Sequence, residues 1–382
     1  MKINILVGAR FQAGQLAEVL DENKFDIEVY TSTHPNKWKI AKDKVKFVPL
    51  LSNIFRYITK IKLPMSFEEQ SIKIFDALSC FYMRKSNVLH VWSSYGLSSI
   101  KNAKKNNVIV FVEKACPHPL YQEKLLLEEA SILGIEHKTH SEKFMKRTLE
   151  EFELADKVIV PSMYTYNSFI EYGFDRDKLV NVTLDANFKP KKDHKKKYSK
   201  EQSFIVGTVG GNILRKGFLY LIDAWQELGL KNAKLLLKTS QKELEDIPLL
   251  WNKIKDDNSI EVIGYLKDME TFYEQCDLFC LPSVDEGFGM VVFEAIACSV
   301  PVIVTKNVGA ADLIKDGEIG HIVDIRSVVQ LKDKISRYYD NRQELQLLSD
   351  NCIRFYKEYQ NNNDNYKNRV LNLYADYSEV RT

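Results

Sequence analysis

The 382-residue chain is 45% hydrophobic and 28% charged with a formal net charge of +2, the balance of a globular protein long enough for two ordinary domains. Its six cysteines (Cys80, Cys116, Cys276, Cys280, Cys298, Cys352) are scattered, and no histidine or second cysteine pair completes a zinc set, so reduced, buried thiols are expected. No run approaches a membrane span and MKINILVGAR carries no signal-peptide cleavage pattern, which points to a cytoplasmic protein still able to touch a membrane surface.

In chain order, KINILVGA, FDIEVYTS, VKFVPL, VLHVWSS, VIVFVE, KVIVPS and KLVNVTL read as strands of a first half. FIVGTVG, KLLLKT, IEVIGY, LFCLPS, PVIVTK and HIVDI read as strands of a second. The runs are continuously apolar rather than alternating, so both faces of each sheet are covered, as in parallel sheets flanked by helices. Helical-period stretches between them complete two doubly wound α/β domains. The expected boundaries are 1–186 for an N-terminal domain, 187–200 for a linker, 201–360 for a C-terminal domain and 361–382 for a tail. In that tail Val370, Leu373 and Tyr377 share one helix face, so it should pack back towards the N-terminal domain. The linker KPKKDHKKKYSK is strongly basic and reads as a solvated connection, with an anionic lipid or nucleic-acid contact as the sharper alternative.

Ligands of doubly wound domains sit beyond the C-terminal strand ends, so motifs are sought in the loops there. In GTVGGNILRKGFLYLIDAW, Gly210 and Gly211 permit close backbone approach after a strand, and Arg215 and Lys216 stand next to each other on the following loop. The spacing is neither the dinucleotide fingerprint nor a P-loop. Two adjacent cations suit a diphosphate, arginine as a fork and lysine as a point charge, although an ordinary solvated pair reads the same in isolation. In LFCLPSVDEGFGMVVFEAIAC, Glu286 lies on a loop at a strand end, and Gly287, Phe288 and Gly289 lead into a helix whose free N–H groups favour anions. Glu294 lies roughly 8 Å further along that helix. It is the only charge between Met290 and Val304. A carboxylate there either accepts the two hydroxyls of a ribose or sits in a buried ion pair with a lysine or arginine.

These stretches, together with IEVIGYLKDMETFYEQC and DGEIGHIV, resemble the donor domain of family 4 retaining glycosyltransferases with the two-domain GT-B fold, and Glu286 to Glu294 has the spacing of their E-x7-E motif. FELADKVIVPSMYTYNSFIEYGFDRDKLVNV resembles the end of the same family's acceptor domain. The resemblance implies two Rossmann-like domains facing across a cleft, with no cofactor beyond a nucleotide-diphosphate sugar as co-substrate and no metal. It implies that Arg215 and Lys216 neutralise the donor diphosphate, that Glu286 and the amides of Gly287, Phe288 and Gly289 face the transferred sugar, and that Glu294 binds the ribose. Gly210 and Gly211 line the same site, and Gly264 and Tyr265 border the nucleobase. The family keeps a histidine near the reacting sugar; His118 is preferred over His90, which also reads as a satisfied histidine beside Trp92. Gly8 and Arg10 are assigned to the acceptor side, where GAR replaces the family's glycine pair. The remaining histidines, His34, His137, His140, His194 and His321, read as solvent-exposed.

Catalysis would then rest on electrostatic stabilisation of the leaving diphosphate and on positioning. The resemblance implies retention, and the lack of a clear carboxylate nucleophile favours front-face attack. The partners expected are a nucleotide sugar, a glycan or lipid-linked glycan of an envelope polysaccharide or lipopolysaccharide pathway, an anionic membrane surface, and no nucleic acid. SNIFRYITKIKLP and SIKIFDALSCFYMRK would supply a basic amphipathic face for that surface, or else core helices. A non-catalytic nucleotide-sugar-binding protein and a nucleotide-sugar epimerase remain the alternatives.

Overall fold

A computed structural model describes residues 1–59, 63–185, 188–192 and 194–377. The expected domain boundary at 186/187, part of SNIFRYITKIKLP and the end of the tail lie outside the described residues.

The first sheet is built from β1 (Lys2–Val7), β2 (Asp26–Thr31), β3 (Val45–Phe47), β4 (Val88–Trp92), β5 (Ile109–Glu113), β6 (Lys157–Val160) and β7 (Leu179–Asn181), in the order β3-β2-β1-β4-β5-β6-β7. The second holds β8 (Phe204–Val209), β9 (Ala233–Lys238), β10 (Ile260–Ile263), β11 (Leu278–Leu281), β12 (Val302–Thr305) and β13 (Gly320–Val323), in the order β10-β9-β8-β11-β12-β13. Each of the named pairings is parallel. Every run expected as a strand forms one, because full burial on both faces writes itself into the sequence as unbroken Val, Ile and Leu. The β4 side chains from Val88 to Trp92 and the β11 side chains from Leu278 to Leu281 are all buried. Burial of each such aliphatic side chain stabilises by about 1.5–3 kcal/mol.

Strand order reverses between β1 and β4 in one sheet and between β8 and β11 in the other. Crevices open at such switch points. In the second sheet the loop after β8 carries Gly210 to Lys216, and the loop after β11 carries Glu286. Adjacent strands thus bring two motifs 70 residues apart in sequence to one place.

The halves interlock. Leu125, Leu126, Ala130 and Leu133, on the helix Pro119–Leu133, join the core around Phe218 and Leu221. Conversely Phe288 packs among Ile5, Trp92 and Phe111. The helix Tyr366–Ala375 lies on the N-terminal domain: Tyr374 meets His90 (2.7 Å), Arg369 donates to the Thr183 carbonyl (2.8 Å), and the Tyr366 N–H donates to Asp185 (2.6 Å).

Lys189, Lys191, Lys192, Lys195, Lys197 and Lys200 of the linker are exposed, as a solvated connection requires, while one histidine and one lysine are tied to the second domain. His194 is buried, with Nε2 at 2.7 Å from Glu270, and the half-buried Lys196 donates to the Tyr273 carbonyl at 2.9 Å. Both partners lie on the helix Glu270–Gln275, a contact that the lysine-rich stretch alone does not reveal. His321 is likewise buried, bonded to Asp316 at 2.9 Å, so neither it nor His194 is the exposed histidine expected. No helix among the described residues is long and apolar enough to cross a membrane.

Candidate functional site

Gly210 lacks a side chain where Lys216 needs room: a Cβ there would lie 2.7 Å from Lys216 Cγ. The lysine arm therefore lies across the end of β8 and places Nζ against the Glu286 carboxylate, with both side chains mostly enclosed. Gly217 turns the chain at φ +61°, and a Cβ there would meet the Pro282 carbonyl oxygen at 2.0 Å. That close approach lets the Val284 N–H donate to the Arg215 carbonyl (2.8 Å), stitching the two loops together. Arg215 Nε donates to Asp285 at 2.9 Å. Burial works against the guanidinium charge, but the fields of Cys116, Asp285 and Glu286 outweigh it and raise its pKa. Gly211 stands open beside Glu243, which accepts from the Asn212 N–H at 3.0 Å.

Asp285 is fully enclosed, and the sequence reading passed over it. Besides Arg215 it accepts from Gln122 Nε2 at 2.6 Å and from the Tyr164 hydroxyl at 3.1 Å, both in the N-terminal half. The next glycine is held from the same side. The Gly287 carbonyl accepts from Ser162 (2.7 Å) and Thr165 (3.2 Å), and a Cβ on Gly287 would lie 1.9 Å from the Ala115 carbonyl oxygen. Phe288 is buried, and Gly289 at φ +89° starts the helix Met290–Ala297. The first half thus closes over the loop that carries Glu286.

Glu294 accepts from the Tyr273 hydroxyl at 2.8 Å. Burial raises its pKa and the tyrosine bond partly offsets the rise. Among the described residues no lysine, arginine or histidine is ion-paired with it, so the buried ion pair considered from sequence is not present. Tyr273 was also missed: nothing in METFYEQC marks that hydroxyl as the one facing a glutamate 21 positions later.

On the N-terminal side Gly8 packs so closely on Tyr95 that a Cβ would lie 2.1 Å from its ring. Arg10 pairs with Glu18 at 3.1 Å and lines a cavity of about 330 Å³ together with Met290, the first residue of the Glu294 helix. His90 lies within β4 with both ring nitrogens engaged, Nδ1 by Tyr374 (2.7 Å) and Nε2 by Glu113 (3.0 Å). His118 caps the helix Pro119–Leu133, and its ring is enclosed between Tyr172 (4.7 Å) and Phe169 (5.1 Å). Burial, reinforced by the charge of Lys114, lowers its pKa to about 4. Arg215, Lys216, Glu286, Gly287 and Gly289 are therefore brought together, with Glu294 further along the helix that Gly289 starts. Gly264 and Tyr265 sit on an exposed loop after β10, and neither histidine ring is bonded to this group.

Among the described residues, His194, Glu270 and Glu274 are a grouping whose ligand atoms lie within 4.8 Å of one another. Glu274 is paired with Lys192 (2.7 Å) and Glu270 accepts the Lys191 N–H (2.8 Å), so the cluster closes on the linker itself.

Two doubly wound parallel-sheet domains clasped at their strand ends form the GT-B architecture. Residues 190–355 match the family described as Glycosyl transferases group 1. The capsular polysaccharide biosynthesis glycosyltransferase CapM of Staphylococcus aureus is 29% identical over 192 residues, 48% of this chain and 49% of its own. The chain spans about half the length of the curated relatives it matches. Sucrose-phosphate synthase from Thermosynechococcus elongatus shares the fold over 100% of this chain and 99% of its own, with a TM-score of 0.75 at 16% identity. Anabaena HepE, solved in complex with UDP, does so over 100% of both chains, with a TM-score of 0.67 at 16% identity.

Proposed function

We propose that the protein is a retaining glycosyltransferase of family 4 that moves a sugar from a nucleotide-diphosphate sugar to a glycan or lipid-linked glycan in envelope polysaccharide or lipopolysaccharide assembly. The observation that carries this reading is the pairing of Arg215 and Lys216 with Asp285 and Glu286 at the β8/β11 switch point. Two cations held there are ready to receive a diphosphate, which would draw Lys216 away from Glu286. The similarity of CapM and the UDP complex of HepE support the reaction class and the nucleotide co-substrate.

In this reading departure of the nucleoside diphosphate builds negative charge that Arg215, Lys216 and the N-terminal amides of the helix Met290–Ala297 stabilise without a metal. Glu286, released from Lys216, accepts hydroxyls of the transferred sugar, and Glu294, oriented by Tyr273, accepts those of the ribose. Asp285 is enclosed by three donors and not free to attack, which favours front-face transfer. Tyr57 on the helix Leu51–Thr59, and Phe81 and Tyr82 at the end of the helix Met65–Tyr82, which Lys85 follows closely in sequence, stand exposed and suit contact with an anionic membrane.

The test is thermal stabilisation by UDP-, GDP-, ADP- and dTDP-sugars, with EDTA present, of the wild type and of Glu294→Gln. A nucleotide at about a hundredfold its dissociation constant should stabilise the wild type by about 2.7 kcal/mol and the variant far less. Failure of every nucleotide to stabilise either protein would overturn the proposal.

A further inference from the structure

A cavity of about 200 Å³ opens at the strand ends of the N-terminal sheet, reached by Ser94 from the loop after β4 and by Lys114 from the end of β5. Gln122 forms part of its wall and is the same residue whose amide holds Asp285, so the cavity adjoins the Arg215 cluster. Its volume is below that of pockets for drug-sized ligands, which suits one sugar residue rather than a long glycan.

Charge sets its chemistry. Lys114 and Lys138 line the cavity against a single carboxylate among its lining residues, Glu123; of the two histidines there, His140 lies 3.5 Å from Glu69 and burial lowers the pKa of His137. Lys114 is half-buried, and among the described residues neither it nor Lys138 has a carboxylate within ion-pair distance. An ammonium at the cavity wall with no carboxylate partner is open to an anion supplied from outside. Leu126 and Phe144 provide the apolar surface on which a sugar face can rest.

The wall is also fixed in advance. Ser94 is held at φ +78°, which a non-glycine side chain rarely adopts. Glu151 accepts the Ser94 and Gly96 N–H groups while pairing with Arg147 at 2.7 Å, and Thr148 meets the Ser94 hydroxyl at 3.2 Å. A buried network with Arg147 and Glu151 thus holds the strained loop at Ser94 against the helix Glu142–Leu154, and Ser94 from the one and Thr148 from the other both border the cavity.

We infer that this cavity binds an anionic substituent, a carboxylate or a phosphate, on the acceptor sugar, so that the acceptor is an acidic glycan. This inference rests on the glycosyltransferase reading for the word acceptor, but the anion site stands on its own residues. Lys114 and Lys138 take the charge, Ser94 and Gln122 take hydroxyls, and the acceptor hydroxyl is thereby directed towards the sugar held beside Glu286.

Saturation-transfer NMR would compare methyl glucuronide, a methyl glycoside phosphate and neutral methyl glucoside as probes. The proteins would be the wild type, Lys114→Ala, Lys138→Ala, and Lys216→Ala as the control for the diphosphate cluster. At least one anionic probe should bind tenfold or more tightly than the neutral glycoside. Its binding should fall at least tenfold in Lys114→Ala and be unchanged in Lys216→Ala. The tighter of the two anionic probes tells a uronate from a phosphate. Equal binding of the neutral glycoside, anion binding that survives in Lys114→Ala, or no binding at all would overturn the inference. The nucleotide stabilisation assay, run on the same samples, separates the two claims: anion binding without any nucleotide binding leaves the cavity in place and removes the transferase.

Discussion

The imidazole of His118, wedged between Phe169 and Tyr172, has a pKa lowered to about 4 by burial and by the charge of Lys114. An unfolded histidine titrates near 6.5. Between those values the unfolded chain binds a proton that the folded one does not, so stability contributed by the neutral ring is present above about pH 6.5 and lost as pH falls towards about 4. Thermal unfolding followed from pH 7 to pH 4.5 should therefore show the wild type losing about 2–4 °C more than His118→Gln. Parallel slopes would mean the ring is solvated and free for chemistry. At this scale the sequence exposed the charged residues set in glycine-rich or apolar surroundings: Arg215, Lys216, Glu286 and Glu294. It concealed Asp285 and Tyr273, because what they do depends on Gln122, 163 positions away, and on Glu294 across a helix packing. It also left His90 open, since engagement of both ring nitrogens follows from Glu113 and from a tyrosine 284 residues downstream.

The helix Tyr366–Ala375 buries Tyr366, Val370, Leu373 and Tyr374 against the first sheet. Its period was legible, because an apolar stripe in a polar tail marks a face; that Tyr374 would hold His90 was not. Truncation of a buried aromatic costs about 3–5 kcal/mol. Tyr374→Ala should accordingly lower unfolding stability by that amount in urea denaturation. Tyr374→Phe, which removes only the hydroxyl facing His90, should cost about 1–3 kcal/mol. An undiminished midpoint in Tyr374→Ala would mean that the helix is not docked in solution. The linker shows both sides: its lysines are mostly exposed as its composition suggested, while His194 and Lys196 find partners on Glu270–Gln275 that only the folded chain supplies.

For the molecule as a whole, the strands were readable because a parallel sheet covered on both faces demands unbroken apolar runs; their lateral order was not, since pairing leaves no mark in a uniformly apolar strand. One contact between halves was hidden for a different reason. Its close approach is made at a glycine, and the informative feature is the side chain that is missing. A methyl group on Gly287 would meet the Ala115 carbonyl oxygen at 1.9 Å, so Gly287→Ala cannot adopt this arrangement without parting the domains. Small-angle scattering should report a larger radius of gyration for that variant, and the sugar transfer proposed above should fall by about a hundredfold through lost positioning. An unchanged radius would show that the loop yields instead. The docked tail has a consequence for how the chain is made. The first domain uses residues from both ends of the sequence, so a growing polypeptide that has emerged as far as β7 still lacks Tyr366, Val370, Leu373 and Tyr374. At about 5–20 residues per second, ribosomes need roughly 10–40 s more to deliver them. Throughout that interval the nascent first domain carries an uncovered apolar groove around His90, and the second domain can complete its own core before the first is sealed.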